Sequence, residues 1–141
     1  MMVAQYLVDT SAAARMLGGS EASARWERQV TAGLLAVCPV VELELLYSAV
    51  SKADREETLG DLHEALTWVP MPDRAFDRAA EVQASLTDRG AHRSAGPVDL
   101  LVAATAEFHK LTLLHYDHDF EQIAQVTAQP TAWLAEPGTI D

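Results

Sequence analysis

Four short segments of the sequence place carboxylate side chains inside apolar runs, where an uncompensated charge costs free energy. They are LVDTSA with Asp9, VELELLY with Glu42 and Glu44, PVDLLVA with Asp99, and LLHYDHDF with Asp117 and Asp119. Clustered carboxylates repel one another and raise their own pKa values unless a cation lies among them. Oxygen ligands without paired cysteines or histidines suit Mg²⁺ or Mn²⁺, and such an ion beside a phosphodiester indicates in-line hydrolysis by metal-activated water.

We expect three of these acids to lie near the edge at which parallel α/β sheets bind ligands. Asp9 and Asp117 each follow an apolar strand-like run directly, and ligands of parallel α/β sheets bind beyond the carboxyl ends of the strands. Asp99 comes two residues after Pro97, in the first turn of a helix that is apolar on nearly every face apart from Thr105. The helix dipole alone would also favour a first-turn carboxylate, by about 0.3–1 kcal/mol.

The remaining polar candidates have more than one interpretation. Glu42 and Glu44 are about 200° apart on a helix, so we expect one to face the site and the other solvent, and periodicity does not choose between them. Asp119 precedes Phe120 and a helical stretch, which predicts an N-cap, whereas we assign Asp117 to the site. Ser11 could likewise cap the helix after the first strand.

The elements that must position these acids alternate along the chain. Short apolar runs separated by helical patterns predict an α/β fold with a parallel sheet and helices on its faces. The predicted strands are 3–8, 34–37, 67–70, 111–116 and 131–134. Glycine and proline positions predict helices over 11–17, 20–31, 39–50, 72–86 and 97–110, with a polar loop over 87–96.

Composition narrows the class of protein. The 141 residues suit one domain, and the net charge of −11 argues against a protein that holds nucleic acid through a broad basic face. Cys38 is the sole cysteine, which excludes an internal disulfide, and its apolar neighbours predict a buried core position. No signal peptide and no apolar run of about eighteen residues is present, so we expect a cytoplasmic protein without a membrane association.

Taken in order, LVDTSA, ELELLYSA, PVDLLVAATA and LLHYDHDF resemble the PIN-domain ribonucleases, and more closely the VapC toxins of prokaryotic toxin–antitoxin pairs. The resemblance runs from Tyr6 to about Trp133. It implies a PIN-like fold over residues 1–141 as a single PIN domain. In that fold a central five-stranded parallel sheet, often ordered 3-2-1-4-5, is flanked by helices on both faces.

The resemblance also implies the site residues. The four metal-binding acids would be Asp9, Glu44, Asp99 and Asp117, with Glu44 favoured over Glu42 because it precedes a leucine-leucine-aromatic-small sequence. Ser11 would position a water or a phosphate oxygen. The chain departs from the common family pattern in two places: Ser48 replaces a glycine, and His115-Tyr116 replaces a threonine and a basic or polar residue.

The implied activity is that of a Mg²⁺- or Mn²⁺-dependent endoribonuclease, the toxin of a type II toxin–antitoxin pair. The resemblance further implies a homodimer and a cognate antitoxin, whose basic C-terminal segment would enter the acidic cleft within a hetero-oligomer. The alternative is a catalytically inactive PIN-fold module that binds RNA or protein. A phosphatase or receiver domain is not favoured, because Ser11 stands where the former needs an aspartate. The basic residues that could contact RNA are Arg15, Lys52, Arg89, His92 and Arg93.

Overall fold

The sheet has β1 at its centre. A computed structural model describes residues 3–19 and 21–140, and its five strands pair in parallel in the order β3-β2-β1-β4-β5. The strands are β1 (Tyr6–Val8), β2 (Leu35–Val37), β3 (Thr67–Trp68), β4 (Thr112–His115) and β5 (Thr131–Trp133). Leu7 of β1 pairs with Ala36 on one side and Leu113 on the other. The predicted α/β class, the five strands and their order are confirmed.

Eight helices connect the strands in the part of the chain that the structure describes. They are α1 (Thr10–Leu17), α2 (Glu21–Arg25), α3 (Glu27–Thr31), α4 (Pro39–Tyr47), α5 (Lys52–Ala65), α6 (Arg74–Asp88), α7 (Pro97–His109) and α8 (Asp119–Thr127). Proline starts α4 and α7 as predicted, because its fixed φ suits the first helical turn. None of these helices is both long enough and apolar enough to cross a membrane.

Several helix boundaries differ from the prediction. The helix predicted over 20–31, whose residue 20 lies outside the described residues, is two short helices divided at Trp26. The helix predicted to reach residue 50 ends at Tyr47, where the Ser48 hydroxyl donates to the Leu45 carbonyl. Ser51 then caps α5 by accepting from the Asp54 amide. α6 begins at Arg74, two residues after Pro72.

Core packing fixes the carboxyl ends of β1 and β4, which are neighbours in the sheet. Leu7 and Val8 of β1 and Leu113 and Leu114 of β4 are fully buried, and each such side chain contributes about 1.5–3 kcal/mol on burial. α7 is buried on most of its surface, as its apolar sequence predicts, and the Thr105 hydroxyl is satisfied within the helix by the Leu101 carbonyl. Both strand ends and the start of α7 are therefore held firmly against the core.

Candidate active site

Asp9 is a buried carboxylate at the carboxyl end of β1. It is 3% exposed and caps α1, its Oδ1 accepting from the Ala12 amide at 3.1 Å and its Oδ2 from the Ser11 amide at 3.2 Å. The Ser11 hydroxyl also donates to the carboxylate, at 2.8 Å from Oδ1. Burial raises the pKa of Asp9 to about 6 although these hydrogen bonds favour the charged form, and the charge of Asp99 adds to the rise. A cation bound nearby would therefore stabilise the ionised form of Asp9.

Ser11 joins α1 to the end of β4. Its hydroxyl oxygen accepts from the Tyr116 amide at 2.9 Å while its proton is directed to Asp9. The residue that caps α1 is Asp9, so the capping role considered for Ser11 is wrong. Ser11 instead holds Asp9 at a fixed position relative to the segment that leads into Asp117.

Asp99 lies in the first turn of α7, where its Oδ2 accepts from the Gly96 amide at 3.3 Å. Burial first, and then the charges of Asp117, Glu44 and Asp119, raise its pKa to about 6. Helix capping and neighbouring charges therefore act on the same carboxylate. We call these interacting acids the acidic cluster: Asp9, Glu44, Asp99, Asp117 and Asp119. Glu44 of α4 and the two acids near the start of α8, Asp117 and Asp119, therefore all act electrostatically on Asp99.

The start of α8 is held by the Asp117 carboxylate, and not by that of Asp119 as the sequence predicts. Asp119 is the first residue of α8, and its own amide donates to Asp117 Oδ1 at 2.9 Å. The prediction that Asp119 is the N-cap is thus wrong. Its pKa is raised by partial burial and by the charge of Asp117, so its carboxylate belongs to the cluster. The two-residue spacing in DHD was the sequence signal for this additional acid.

The two glutamates of α4 face different neighbours. Glu42 is half-buried against α5, and its Oε1 lies 2.6 Å from His63 Nε2. Glu44 is exposed, and it is the α4 acid whose charge raises the pKa of Asp99. The rotation of the helix thus directs Glu44, and not Glu42, toward the acidic cluster.

The donor set of the cluster fits a hard cation. Within residues 3–19 and 21–140, no three Asp, Glu, His or Cys side chains converge closely enough to hold an ion. Each of Asp9, Asp99 and Asp117 accepts a hydrogen bond from a nearby backbone amide, which keeps its oxygens on its own helix start. The charges nonetheless influence one another, and all the donors are oxygens of the kind Mg²⁺ or Mn²⁺ prefers.

The unusual pair His115-Tyr116 connects the site to the C-terminal segment. His115 is fully buried, its Nδ1 accepts from the Asp117 amide at 3.3 Å, and burial lowers its pKa to about 4. The Tyr116 phenol donates to the Ile140 carbonyl and accepts from the Ile140 amide, both at 3.1 Å. The Arg15 guanidinium lies 4.6 Å from the centre of the Tyr116 ring. Residues near both termini therefore support the same strand end.

Comparisons with known proteins show the family to which the chain belongs. The sequence profile of the PIN domain matches residues 6–126. Ribonuclease VapC21 of Mycobacterium tuberculosis is 45% identical over 139 residues, which cover 98% of this chain and 99% of that protein. The chain belongs to the VapC family of PIN-domain proteins. Ribonuclease VapC18 of Mycobacterium tuberculosis, another VapC relative, is 37% identical over 140 residues, covering 96% of this chain and 98% of that one.

Solved structures share the fold of this VapC-family chain. A DNA-bound VapBC from Salmonella typhimurium matches with a TM-score of 0.75 and 17% identity, covering 94% of this chain and 100% of that chain. VapBC2 from Rickettsia felis, bound to a promoter DNA fragment, matches with a TM-score of 0.76 and 18% identity, covering 91% and 97%. The family resemblance and the PIN-like fold that the sequence motifs predict are both confirmed.

Proposed function

We propose that the chain is a Mg²⁺- or Mn²⁺-dependent endoribonuclease, the toxin of a VapBC-like toxin–antitoxin pair that acts in the cytoplasm. The near full-length identity to Ribonuclease VapC21 supports a ribonuclease. The observation that carries the metal dependence is Asp99, whose raised pKa reflects burial and the charges of Asp117, Glu44 and Asp119. Such a group of acids at the carboxyl edge of a parallel sheet is suited to a cation and a phosphodiester.

In this proposal Asp9, Glu44, Asp99 and Asp117 hold the ion and Ser11 keeps Asp9 in position through its two contacts, to the carboxylate and to the Tyr116 amide. The bound ion would supply an activated water and stabilise charge on the phosphorus oxygens. The protein's own contribution is positional, since burial of Asp9 and Asp99 excludes water from one side of the acids.

The partners follow from charge and from the exposed surface. A net charge of −11 favours an antitoxin with a basic C-terminal segment that enters the acidic cleft. Several structural neighbours are VapBC assemblies, which supports a toxin–antitoxin hetero-oligomer. We further propose a homodimer, because Leu43 and Tyr47 of α4 and the following Val50 are exposed apolar side chains on adjacent turns.

The test compares two first-turn aspartates. Asp99→Asn removes a charge from the cluster, whereas Asp77→Asn makes the same change at an exposed position in the first turn of α6. The purified chain is incubated with structured cellular RNA in Mg²⁺ or Mn²⁺, and new 5′ ends are mapped. We expect discrete cleavage by the unmodified chain and by Asp77→Asn, and none by Asp99→Asn or in excess chelator.

Circular dichroism and native mass measurements serve as folding controls for both variants. Cleavage by a folded Asp99→Asn variant at the rate of the unmodified chain would contradict the assignment of the site. Undiminished cleavage in excess chelator would contradict the metal dependence.

A further inference from the structure

Three partly or largely exposed rings stand beside Asp117, at the carboxyl ends of β4 and β5. Trp133 lies opposite His115 in the β4–β5 pairing, at the end of the edge strand. The centre of its ring is 4.9 Å from His118 and 5.7 Å from Tyr116, both in edge-to-face arrangements. His118 directly follows Asp117 in the chain. The exposed aromatic surface thus adjoins the acidic cluster.

A buried histidine fixes the distance between this aromatic surface and the acids. The His115 ring lies 4.7 Å from the Trp133 ring and 5.1 Å from Phe120, so it packs between them in the core. Its Nδ1 accepts from the Asp117 amide. One residue therefore supports both Trp133 and the backbone that carries Asp117, which keeps the rings at a defined separation from the site.

Core packing accounts for the buried rings of His115 and Phe120 but not for the exposed ring of His118. His115 and Phe120 are fully buried and contribute to the core. The His118 side chain is 74% exposed, so it buries little apolar area. Its Nδ1 lies 3.6 Å from Oε2 of the Glu121 carboxylate. An exposed ring held edge-on against a tryptophan is an arrangement that can receive another flat ring.

The charge of the chain makes such a surface useful for binding RNA. With 21 acids against 10 bases, the net charge of the chain repels phosphate, so overall electrostatic attraction supplies little affinity. Proteins bind unpaired nucleotides by stacking bases on aromatic side chains and on arginine planes. The Arg15 guanidinium over the Tyr116 ring places a planar cation next to the same rings.

We propose that Trp133 and His118 form a stacking site for an unpaired nucleobase of the RNA, adjacent to the phosphodiester bond that is cleaved. The proposal deepens the proposed ribonuclease function and rests on it. Tyr116 and Arg15 border the site, and His115 sets its position relative to Asp117. The site selects for a nucleotide that is free of a base-paired partner, and hence for loops or single strands.

The experiment is a double-mutant cycle between the protein ring and the RNA base. The probe is a short fluorescent oligoribonucleotide that spans a mapped cleavage site, together with copies in which one flanking nucleotide is abasic. Binding is measured by anisotropy with Asp99→Asn, which does not consume the probe, alone and combined with Trp133→Leu. The control is Trp68→Leu, because Trp68 is a tryptophan that is 52% exposed and ends the opposite edge strand of the sheet.

If the site exists, Trp133→Leu weakens binding of the intact probe by about fivefold or more, whereas Trp68→Leu leaves it unchanged. One abasic position should weaken binding to the Asp99→Asn chain by a similar factor and have no further effect once Trp133 is replaced. The proposal would be overturned if Trp133→Leu and Trp68→Leu bound the probe with equal affinity. It would also be overturned if the abasic position weakened binding by the same factor whether or not Trp133 is replaced. A surface that serves a protein partner instead would give the first of these results, because Trp133→Leu would then leave RNA binding unchanged.

Two safeguards keep the result interpretable. His118→Ala changes an exposed side chain and should fold, so it replaces Trp133→Leu if that variant is unfolded by circular dichroism, with the same nucleotide expected to lose its effect. Cleavage by the unmodified chain is measured separately. A chain that binds with this base dependence but does not cut would refute the proposed function while upholding the stacking site.

Discussion

At the scale of residues, the site depends on carboxylates that are costly to ionise. Asp9 is buried and Asp99 is half-buried at the starts of helices, and loss of solvent is the main cause that raises the pKa of each to about 6. Backbone amides and the Ser11 hydroxyl offset part of this cost at Asp9 without abolishing it. A folded metal-free chain therefore carries electrostatic strain at neutral pH that a cation would relieve.

This strain predicts a pH-dependent gain in stability when one carboxylate is removed. The folded-state pKa of Asp99 lies above its unfolded value of 3.8, so ionisation destabilises the fold fully above about pH 6 and progressively less down to pH 4. An asparagine side chain at this position cannot ionise and can still accept from the Gly96 amide. In chelator, Asp99→Asn should melt at a higher temperature than the unmodified chain at pH 7.5, and the difference should shrink between pH 6 and pH 4.

Asp77→Asn is the matched control, since this exposed acid should show no such trend. A difference in melting temperature that stays constant from pH 7.5 to pH 4 would mean that ionisation of Asp99 carries no cost in the fold.

At the scale of elements, local patterns predicted helix and strand positions better than helix ends. Proline placed the starts of α4 and α7 correctly because its effect is confined to the first turn. The division of the 20–31 helix at Trp26 depends on tertiary contacts, since the Trp26 ring packs on Tyr6 and its Nε1 donates to the Leu134 carbonyl 108 residues away. No local pattern contains that information.

The rotation of α4 was likewise undecided by periodicity and is a matter of packing. Glu42 is paired with His63 of α5, whereas the charge of Glu44 reaches Asp99. We expect Glu44→Gln to reduce RNA cleavage by more than Glu42→Gln, because only the former removes a negative charge from the acidic cluster. Cleavage rates measured across a Mg²⁺ or Mn²⁺ titration give the comparison.

The two substitutions are matched controls for each other, being identical changes two residues apart on one helix. A larger loss of cleavage for Glu42→Gln would reverse the assignment of the site glutamate.

At the scale of the whole molecule, the acids that the motifs singled out come from segments far apart in the chain. The sequence located Asp9, Asp99 and Asp117 because an acid among apolar residues is unusual, and the family resemblance supplied the sheet order that brings their elements together. The sequence assigned the capping of α8 to Asp119, whereas Asp117 accepts the Asp119 amide, because spacing alone does not fix the first residue of a helix. Roles of these residues in catalysis stay predictions.

A homodimer also concerns the whole molecule, because a single chain leaves an apolar surface on and after α4 exposed to water. Tyr47 is 92% exposed on α4 and is flanked by exposed Leu43 and Val50, an apolar surface that water solvates poorly. A second copy that covers it would place the Glu44 of each chain near the interface, since Glu44 lies on the same helix.

We expect sedimentation to give a dimer for the unmodified chain and a monomer for Tyr47→Asp. Phe76→Asp is the control, because Phe76 is an exposed ring on α6 and its replacement should leave the dimer intact. Equal dissociation by both variants would point to general unfolding, and a monomeric unmodified chain would contradict the proposal.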